Sequence, residues 1–283
     1  MTIYTDTARF DTGRALTEDE LFKVAPSVFA TTAHESRSDR FSVIATIDVL
    51  RALAREGFGV VGAKQAVTRV PGKADFTKHL LRIRKLDADA SYSVGDTVCE
   101  MLLKNANDGT CKYNLMAALF RIRCLNSLVA QMGELENVTV KHSGDVAGQV
   151  IEGTYRVIGE AQKALAAPSE WSQLNLSRDE ATAFAEAAHV VRFGDPEEGG
   201  AAPAINAGQL LTVRRPGDAA PDLWSTFNVV QENVIRGGLH GVRRDANNRR
   251  RRMTTRAVNG IDQDIRLNRA LWQLVERMAE LKS

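Results

Sequence analysis

Four short runs of strand-forming residues between Phe58 and Val129 constrain the fold of this chain more than any other feature. The first two, "FGVVGAKQAVTRV" and "DFTKHLLRIRK", are separated by "PGKA". The last two, "TVCEMLLKNA" and "CKYNLMAALFRIRCLNSLV", are separated by "NDGT". Short connections with Pro-Gly or Asp-Gly are typical of β-hairpins. The sequence therefore predicts an antiparallel β-meander of about four strands, with a possible fifth at "NVTVKH".

Helix signals lie on both sides of these runs. Thr17 followed by Glu20 forms a capping box before "LTEDELFKVA" continues as a helix, and Ser177 followed by Glu180 forms a second one. The stretch "VAGQVIEGTYRVIGEAQKALAA" has apolar residues at helical spacing along one stripe. We therefore expect an α+β fold in which helices pack on one face of the sheet.

The C-terminal part is predicted to be a helical hairpin. "DLWSTFNVVQENVIR" and "IDQDIRLNRALWQLVERMAELKS" both have an apolar helical face, and an arginine-rich loop joins them. Residues 194–221 are rich in glycine and proline, which is typical of a linker or mobile loop. The predicted organisation is an α+β core at 1–193, this linker at 194–221, and a helix–basic loop–helix unit at 222–283.

The positive charge of the chain is concentrated in that loop. Residues 236–256 contain eight arginines and one acid, Asp245, a net charge of +7, whereas the whole chain carries +2. The remainder is therefore mildly acidic, at −5. A localised cationic segment on an acidic body indicates contact with a polyanion.

The arginine-rich loop is the first candidate for a nucleic-acid-binding site. Planar guanidinium groups match phosphate oxygens, and neutralising several phosphates gives a salt-sensitive affinity without sequence readout. Nearby glycines and asparagines predict that the loop is flexible and becomes ordered on nucleic acid. A solvated loop or a protein-binding patch is the alternative. The candidate residues are Arg243, Arg244, Arg249, Arg250, Arg251, Arg252 and Arg256.

A second cationic surface is predicted on the sheet. Alternate residues of a strand face the same side, which groups basic residues of the second and fourth runs. Solvated side chains on an exposed sheet face are the alternative interpretation. The candidates are Lys78, Arg82, Arg84, Arg121 and Arg123.

Motifs for other functions are missing from the sequence. There is no GxxxxGK[ST], HExxH or GxSxG motif, and the cysteines lack metal-ligand spacing. We therefore predict no catalytic residue, no metal and no cofactor. An unrecognised enzyme site around His34, Glu35, His79 and His142 is a lesser alternative. No apolar run approaches 18 residues and no secretory pattern opens the sequence, so we expect a cytoplasmic protein without membrane contact.

Several long stretches resemble a known family. "LTEDELFKVAPSVFATTAHESRSDRFSVIAT", "LFRIRCLNSLV", "GDVAGQVIEGTYRVIG", "DLWSTFNVVQENVIRGGL" and "TRAVNGIDQDIRLNRALW" are similar to the YafZ/YfjQ/YubP family of uncharacterised plasmid and prophage proteins. The resemblance extends over nearly the whole chain. It implies an origin in a mobile element and a bacterial cytoplasm, and it implies no established activity or site residue.

The order of elements is also similar to that of single-strand annealing proteins such as RecT and lambda Red beta, although no motif is shared. That similarity implies self-association into a ring or filament with a cationic groove for single-stranded DNA. The first hypothesis is therefore an oligomeric protein that anneals single-stranded DNA without nucleotide hydrolysis. The alternative is an accessory protein of a plasmid or prophage that acts on duplex DNA or modulates host defence.

Overall fold

A computed structural model describes residues 14–38, 41, 43–86, 96–121, 128–130, 146–194, 203–244 and 249–283. The chain divides into two compact units, Met1–Leu165 and Ala166–Ser283. The first unit contains the helices and strands α1 (Glu18–Val24), α2 (Thr46–Arg55), β1 (Phe58–Gln65), β2 (His79–Lys85), β3 (Thr97–Asn105), β4 (Asn114–Arg121), β5 (Leu128–Ala130) and α3 (Val146–Lys163).

The five strands form one antiparallel sheet in the order β1-β2-β3-β4-β5. The predicted meander and the α+β class are therefore confirmed. β5 begins at the end of the fourth predicted run, and the segment "NVTVKH" falls outside the described residues. In the β3–β4 connection Gly109 has a φ of +75°, a backbone conformation that glycine adopts without steric cost.

One face of the sheet forms the core of the first unit. Because side chains alternate along a strand, Leu81 and Ile83 of β2 face the same side as Met101 and Leu103 of β3. The helices α2 and α3 pack on this side. The buried helix residues in the same cluster are Ile47, Leu50, Leu53, Val150 and Val157. Burial of each such side chain contributes about 1.5–3 kcal/mol.

The second unit is helical apart from one β-hairpin. Its elements are α4 (Ala167–Trp171), α5 (Arg178–Phe193), α6 (Leu223–Arg236), β6 (His240–Arg244), β7 (Arg250–Thr254) and α7 (Ile261–Lys282). In α6 every residue from Leu223 to Val234 is buried, so this helix is enclosed on all sides. Trp171, Trp224, Phe227 and Trp272 form an aromatic cluster around it.

Helix α5 packs against α6 and α7. The sequence placed α5 with the core at 1–193, whereas the structure groups it with the C-terminal helices because Phe184, Ala185 and Ala188 are buried there. Both predicted capping boxes are present, at Thr17–Glu20 and at Ser177–Glu180.

The described part of the predicted linker 194–221 packs against the helices α5 and α6. It contains two short 3-10 turns, at Ala207–Leu211 and Pro216–Asp218. Leu210 is fully buried, and its carbonyl accepts a hydrogen bond of 2.8 Å from Asn233 Nδ2 of α6. This segment also contacts the neighbouring β-hairpin through Ala204 and Gln209.

Candidate nucleic-acid interface

The arginine-rich segment is a β-hairpin in the structure, and we call it the arginine hairpin (240–254). The strands β6 and β7 pair antiparallel, so that Arg243 lies opposite Arg251 and Arg244 opposite Arg250. The expectation of a flexible loop is therefore corrected for the two strands, whereas the tip at 245–248 falls outside the described residues. The segment does connect the two helices α6 and α7, as predicted.

The arginine hairpin presents cations to solvent. Every residue of β7 is exposed, as is Arg249 before it and Arg256 after it. Directly opposed residues of an antiparallel pair have Cβ atoms only about 4.5–5.5 Å apart, and like charges at that separation are destabilising. The strand register therefore places like-charged residues opposite each other at two positions of the hairpin.

Hydrogen bonds connect the foot of the arginine hairpin to other parts of the second unit. The Val242 N–H donates to the carbonyl of Ala204 at 3.0 Å, and Gln209 Nε2 donates to the carbonyl of His240 at 2.7 Å. The Gly238 N–H donates to the carbonyl of Thr255 at 2.8 Å. The first two bonds attach the foot of the hairpin to Ala204 and Gln209, and the third joins the two ends of the hairpin segment.

Two glycines permit this close attachment. A Cβ on Gly241 would lie 1.9 Å from the carbonyl oxygen of Ala204, which is far inside van der Waals contact. Gly237 has a φ of +65°, and a Cβ there would lie 2.7 Å from the carbonyl oxygen of Arg256. The glycines that the sequence associates with flexibility therefore serve close backbone packing.

The predicted cationic surface on the sheet is corrected at Arg82 and Arg84. These side chains are only 8% and 5% exposed, and both form ion pairs with Glu100 of β3, which is 1% exposed. Arg82 Nε donates to Glu100 Oε2 at 2.6 Å, and Arg84 Nε donates to Glu100 Oε1 at 3.0 Å. A buried cation needs such a partner, because desolvation of an unpaired charge is costly.

The Arg82 guanidinium also lies 3.7 Å from the ring centroid of Phe120, in a cation–π contact. Neither arginine is available to a phosphate backbone. The signal in the sequence was Glu100, an acid within the apolar run "TVCEMLLKNA".

The other three predicted residues of that surface are not brought together by the described structure. Lys78 precedes β2 and is half-buried. Arg121 is the last residue of β4, and Arg123 falls outside the described residues. Of the hairpin candidates, the backbone places Arg243 and Arg244 in β6.

The sequence pattern does not single out several arginines at the foot of the hairpin. Arg192 of α5 donates to the carbonyl of Arg256 at 3.1 Å, and Arg214 donates to the carbonyl of Gly237. The consecutive pair Arg214 and Arg215, in an otherwise uncharged part of 203–217, is the signal that could have indicated them.

The histidines of the enzyme alternative have structural surroundings. His79 is fully buried between two hydroxyls, with Ser27 Oγ 2.9 Å from Nδ1 and Thr46 Oγ1 3.0 Å from Nε2. Burial lowers the pKa of His79 to about 4 from its ordinary 6.5. His34 Nδ1 lies 2.9 Å from Ser36 Oγ, and its ring packs edge-on against Phe76. His142 falls outside the described residues.

Within the described ranges, no group of three or more His, Cys, Asp or Glu side chains could hold a metal ion. Among the helices of that same part of the chain, none combines the length and the apolarity needed to cross a membrane.

Comparisons with known proteins identify the family. Residues 33–272 match the profile of the family described as a domain of unknown function, DUF932. The UPF0380 protein YafZ of Escherichia coli (strain K12) is 42% identical over 267 residues, which cover 94% of this chain and 92% of the relative. The UPF0380 protein YfjQ of the same organism is 41% identical over 267 residues, with the same coverage.

No solved structure matches the chain, so the architectural similarity to single-strand annealing proteins stays a prediction. The resemblance to the YafZ and YfjQ proteins is confirmed. This chain belongs to the DUF932 family.

Proposed function

We propose that this protein binds nucleic acid through the arginine hairpin, in a bacterial cytoplasm and without nucleotide hydrolysis. The observation that supports the proposal is a β-hairpin whose register places arginines opposite each other and whose second strand is entirely exposed. Guanidinium groups on an exposed strand are suited to phosphate oxygens, which they bind in a bidentate manner. Backbone contacts of this kind give affinity without a requirement for a particular sequence.

The shape of the hairpin favours a duplex as the ligand. The major groove of B-DNA is about 12 Å wide and admits a two-stranded β-ribbon. The two strands of such a ribbon lie about 4.8 Å apart, and five residues extend about 17 Å. The arginine hairpin has five residues in each strand and is therefore of a suitable size.

Annealing of single-stranded DNA by a ring or filament is the second candidate. It requires phosphate neutralisation more than bond-making side chains, and the exposed arginines of β7 suit that requirement. The proposed groove along the sheet no longer includes Arg82 and Arg84, which are buried and paired with Glu100. The hairpin would therefore have to supply most of the cationic surface.

Titration of purified protein with labelled single-stranded and duplex DNA at several salt concentrations tests the proposal. Replacement of Arg249, Arg250, Arg251 and Arg252 by alanine should weaken binding and reduce the salt slope by about 0.9 for each duplex phosphate that is no longer neutralised. Replacement of the same four residues by lysine is the matched control, because it retains the charge and should retain most of the slope.

Two further outcomes separate the candidates. A preference for single strands, faster annealing of complementary strands and a large assembly in solution would favour the annealing function. An alanine variant with unchanged affinity and unchanged slope would contradict nucleic-acid binding by the hairpin altogether.

A further inference from the structure

The two long edges of the arginine hairpin differ in what covers them. The outer edge of β6 lies against the segment before α6, where the Val242 N–H donates to the carbonyl of Ala204 and Gln209 Nε2 donates to the carbonyl of His240. Along the outer edge of β7, the described residues form no backbone hydrogen bond. That edge of the hairpin is therefore open to a further strand.

The strand register shows which backbone groups lie on the open edge. In an antiparallel pair, opposed residues alternate between those that exchange both backbone hydrogen bonds and those whose N–H and C=O groups point away from the partner strand. Because the Val242 N–H donates to Ala204, the pair of Val242 and Arg252 is of the second kind. Arg250 and Thr254 lie two residues to either side, so their backbone groups point outward with those of Arg252.

Three residues of β7 thus present hydrogen-bonding groups to solvent. Arg250, Arg252 and Thr254 each contribute one outward N–H and one outward C=O, and every residue of β7 is exposed. A row of alternating donors and acceptors is a template on which another strand can pair. Phosphate oxygens act as acceptors, so a nucleic-acid backbone complements only the donors in this row, whereas a peptide backbone complements both.

The charge of β7 determines which strand fits the edge. Residues that lie opposite each other on neighbouring strands attract when their charges are opposite and repel when they are alike. A second copy of β7 would bring arginines next to arginines, and charged edge residues of this kind protect proteins against self-pairing. An acidic strand would instead place carboxylates beside Arg250 and Arg252, whose side chains share one face of the hairpin.

We propose that the outer edge of β7 binds an extended acidic segment of a partner protein, which adds a third strand to the arginine hairpin. Backbone hydrogen bonds to Arg250, Arg252 and Thr254 hold the segment, and carboxylates at alternate positions contact the two arginines. In strand addition the main chain provides affinity and the side chains provide specificity. The inference does not depend on nucleic-acid binding, which uses the guanidinium groups and not the backbone edge.

The test is a fluorescence titration with a labelled peptide in which glutamate and valine alternate. Arg252→Pro removes an outward N–H and places a ring at the edge, but it breaks no bond between β6 and β7. Arg252→Thr is the matched control, because it removes the same guanidinium and keeps the N–H. We expect the dissociation constant of Arg252→Pro to exceed that of Arg252→Thr on the order of tenfold. Equal affinities of the two variants would overturn the inference.

Two further peptides separate strand pairing from charge attraction. The same peptide with methylated backbone nitrogens keeps its carboxylates and loses its donors, so it should bind about tenfold more weakly. A peptide with lysine in place of glutamate keeps its donors and should not bind, because its charges are like those of β7. Undiminished binding of either peptide would contradict an acidic added strand.

Amide hydrogen exchange tests the edge without a substitution in the chain. In the free protein the amides of Arg250, Arg252 and Thr254 should exchange faster than those of Arg251 and Met253, which face β6. Addition of the glutamate–valine peptide should slow exchange most at the first three residues. Peptide binding without protection at these three residues would place the peptide elsewhere and refute the inference.

Titration of duplex DNA with the same variants distinguishes the inference from the proposed function. Arg252→Pro and Arg252→Thr lose one guanidinium alike, so they should bind DNA equally. Peptide binding without DNA binding in the unaltered protein would support the inference and refute the proposed function, and DNA binding without peptide binding would do the reverse. A concentration-dependent dimer that Arg252→Pro abolishes would assign the edge to a second copy and overturn the acidic partner.

Discussion

Arginines occupy two regions of this protein with opposite consequences. Arg82 and Arg84 alternate on a sheet strand, are nearly inaccessible and share Glu100. In the arginine hairpin, Arg250 and Arg252 also alternate on a strand, but they are exposed and lie opposite Arg244 and Val242. The same spacing thus produces a buried, ion-paired cluster in one region and an exposed cationic surface in the other. A carboxylate on the neighbouring strand makes the difference.

The largest effect is expected from removal of that carboxylate. Glu100→Gln removes the negative charge that Arg82 and Arg84 share while their guanidinium groups stay buried, which should cost about 3–5 kcal/mol of unfolding free energy. Urea denaturation measures the loss. Glu280→Gln, which breaks an exposed pair with Arg277, is the control and should cost under about 1 kcal/mol. If the two variants lost similar amounts of unfolding free energy, the buried ion pairs would contribute no more to stability than the exposed one.

The pH dependence of the unfolding free energy tests the burial of His79 in the sheet. His79 has an ordinary pKa of 6.5 and a pKa of about 4 when folded, so between these values the unfolded chain binds a proton that the folded chain does not. The contribution of His79 to the unfolding free energy is therefore complete above pH 6.5. This contribution, on the order of 3 kcal/mol, is lost as the pH falls towards 4.

Urea denaturation between pH 7 and pH 4 measures this dependence, with His79→Gln as the comparison. The variant should show a flatter profile, whereas an equally steep one would assign the dependence to other groups.

Attachment of the hairpin is tested by Gly241→Ala. The new methyl group collides with the carbonyl of Ala204, so the foot must shift, at a cost of about 1–3 kcal/mol. Affinity for duplex DNA should fall with it, because the arginines lose their fixed orientation. Gly217→Ala is the control, since nothing lies within 4 Å of the position of its Cβ. Unchanged binding by Gly241→Ala would mean that orientation of the hairpin does not matter.

The smallest effect on stability is expected within the hairpin itself. Arg250→Glu replaces a like-charged pair with Arg244 by an opposite one and should stabilise the protein by about 0.2–1 kcal/mol. The same change should weaken nucleic-acid binding at least tenfold. Arg252→Glu lies opposite Val242 and should lose binding without the gain in stability. Denaturation beside DNA titration checks both, and a loss of stability in Arg250→Glu would contradict the repulsion.

The difference between the regions also shows what the sequence can predict. Local signals were sufficient for the meander and for the capping boxes at Thr17 and Ser177, since each depends on residues close in the chain. The burial of Arg82 was not predictable in the same way, because Glu100 is 18 residues away and only the strand register brings them together.

The site was predicted in part for a similar reason. The density of charge in residues 240–256 indicates a surface element, but a run of four arginines gives little sign of a strand. The hairpin depends on hydrogen bonds to the carbonyls of Ala204 and His240 that no local pattern encodes.

The hydrogen bond from Gly238 to Thr255 brings the two ends of the arginine hairpin to one point. A segment that leaves and returns to its scaffold at the same place can change length without altering the path of the helices on either side. Insertions or deletions between these two residues would alter the reach of the hairpin alone. Proteins with this arrangement can thus differ in the length of the hairpin while keeping one common helical scaffold.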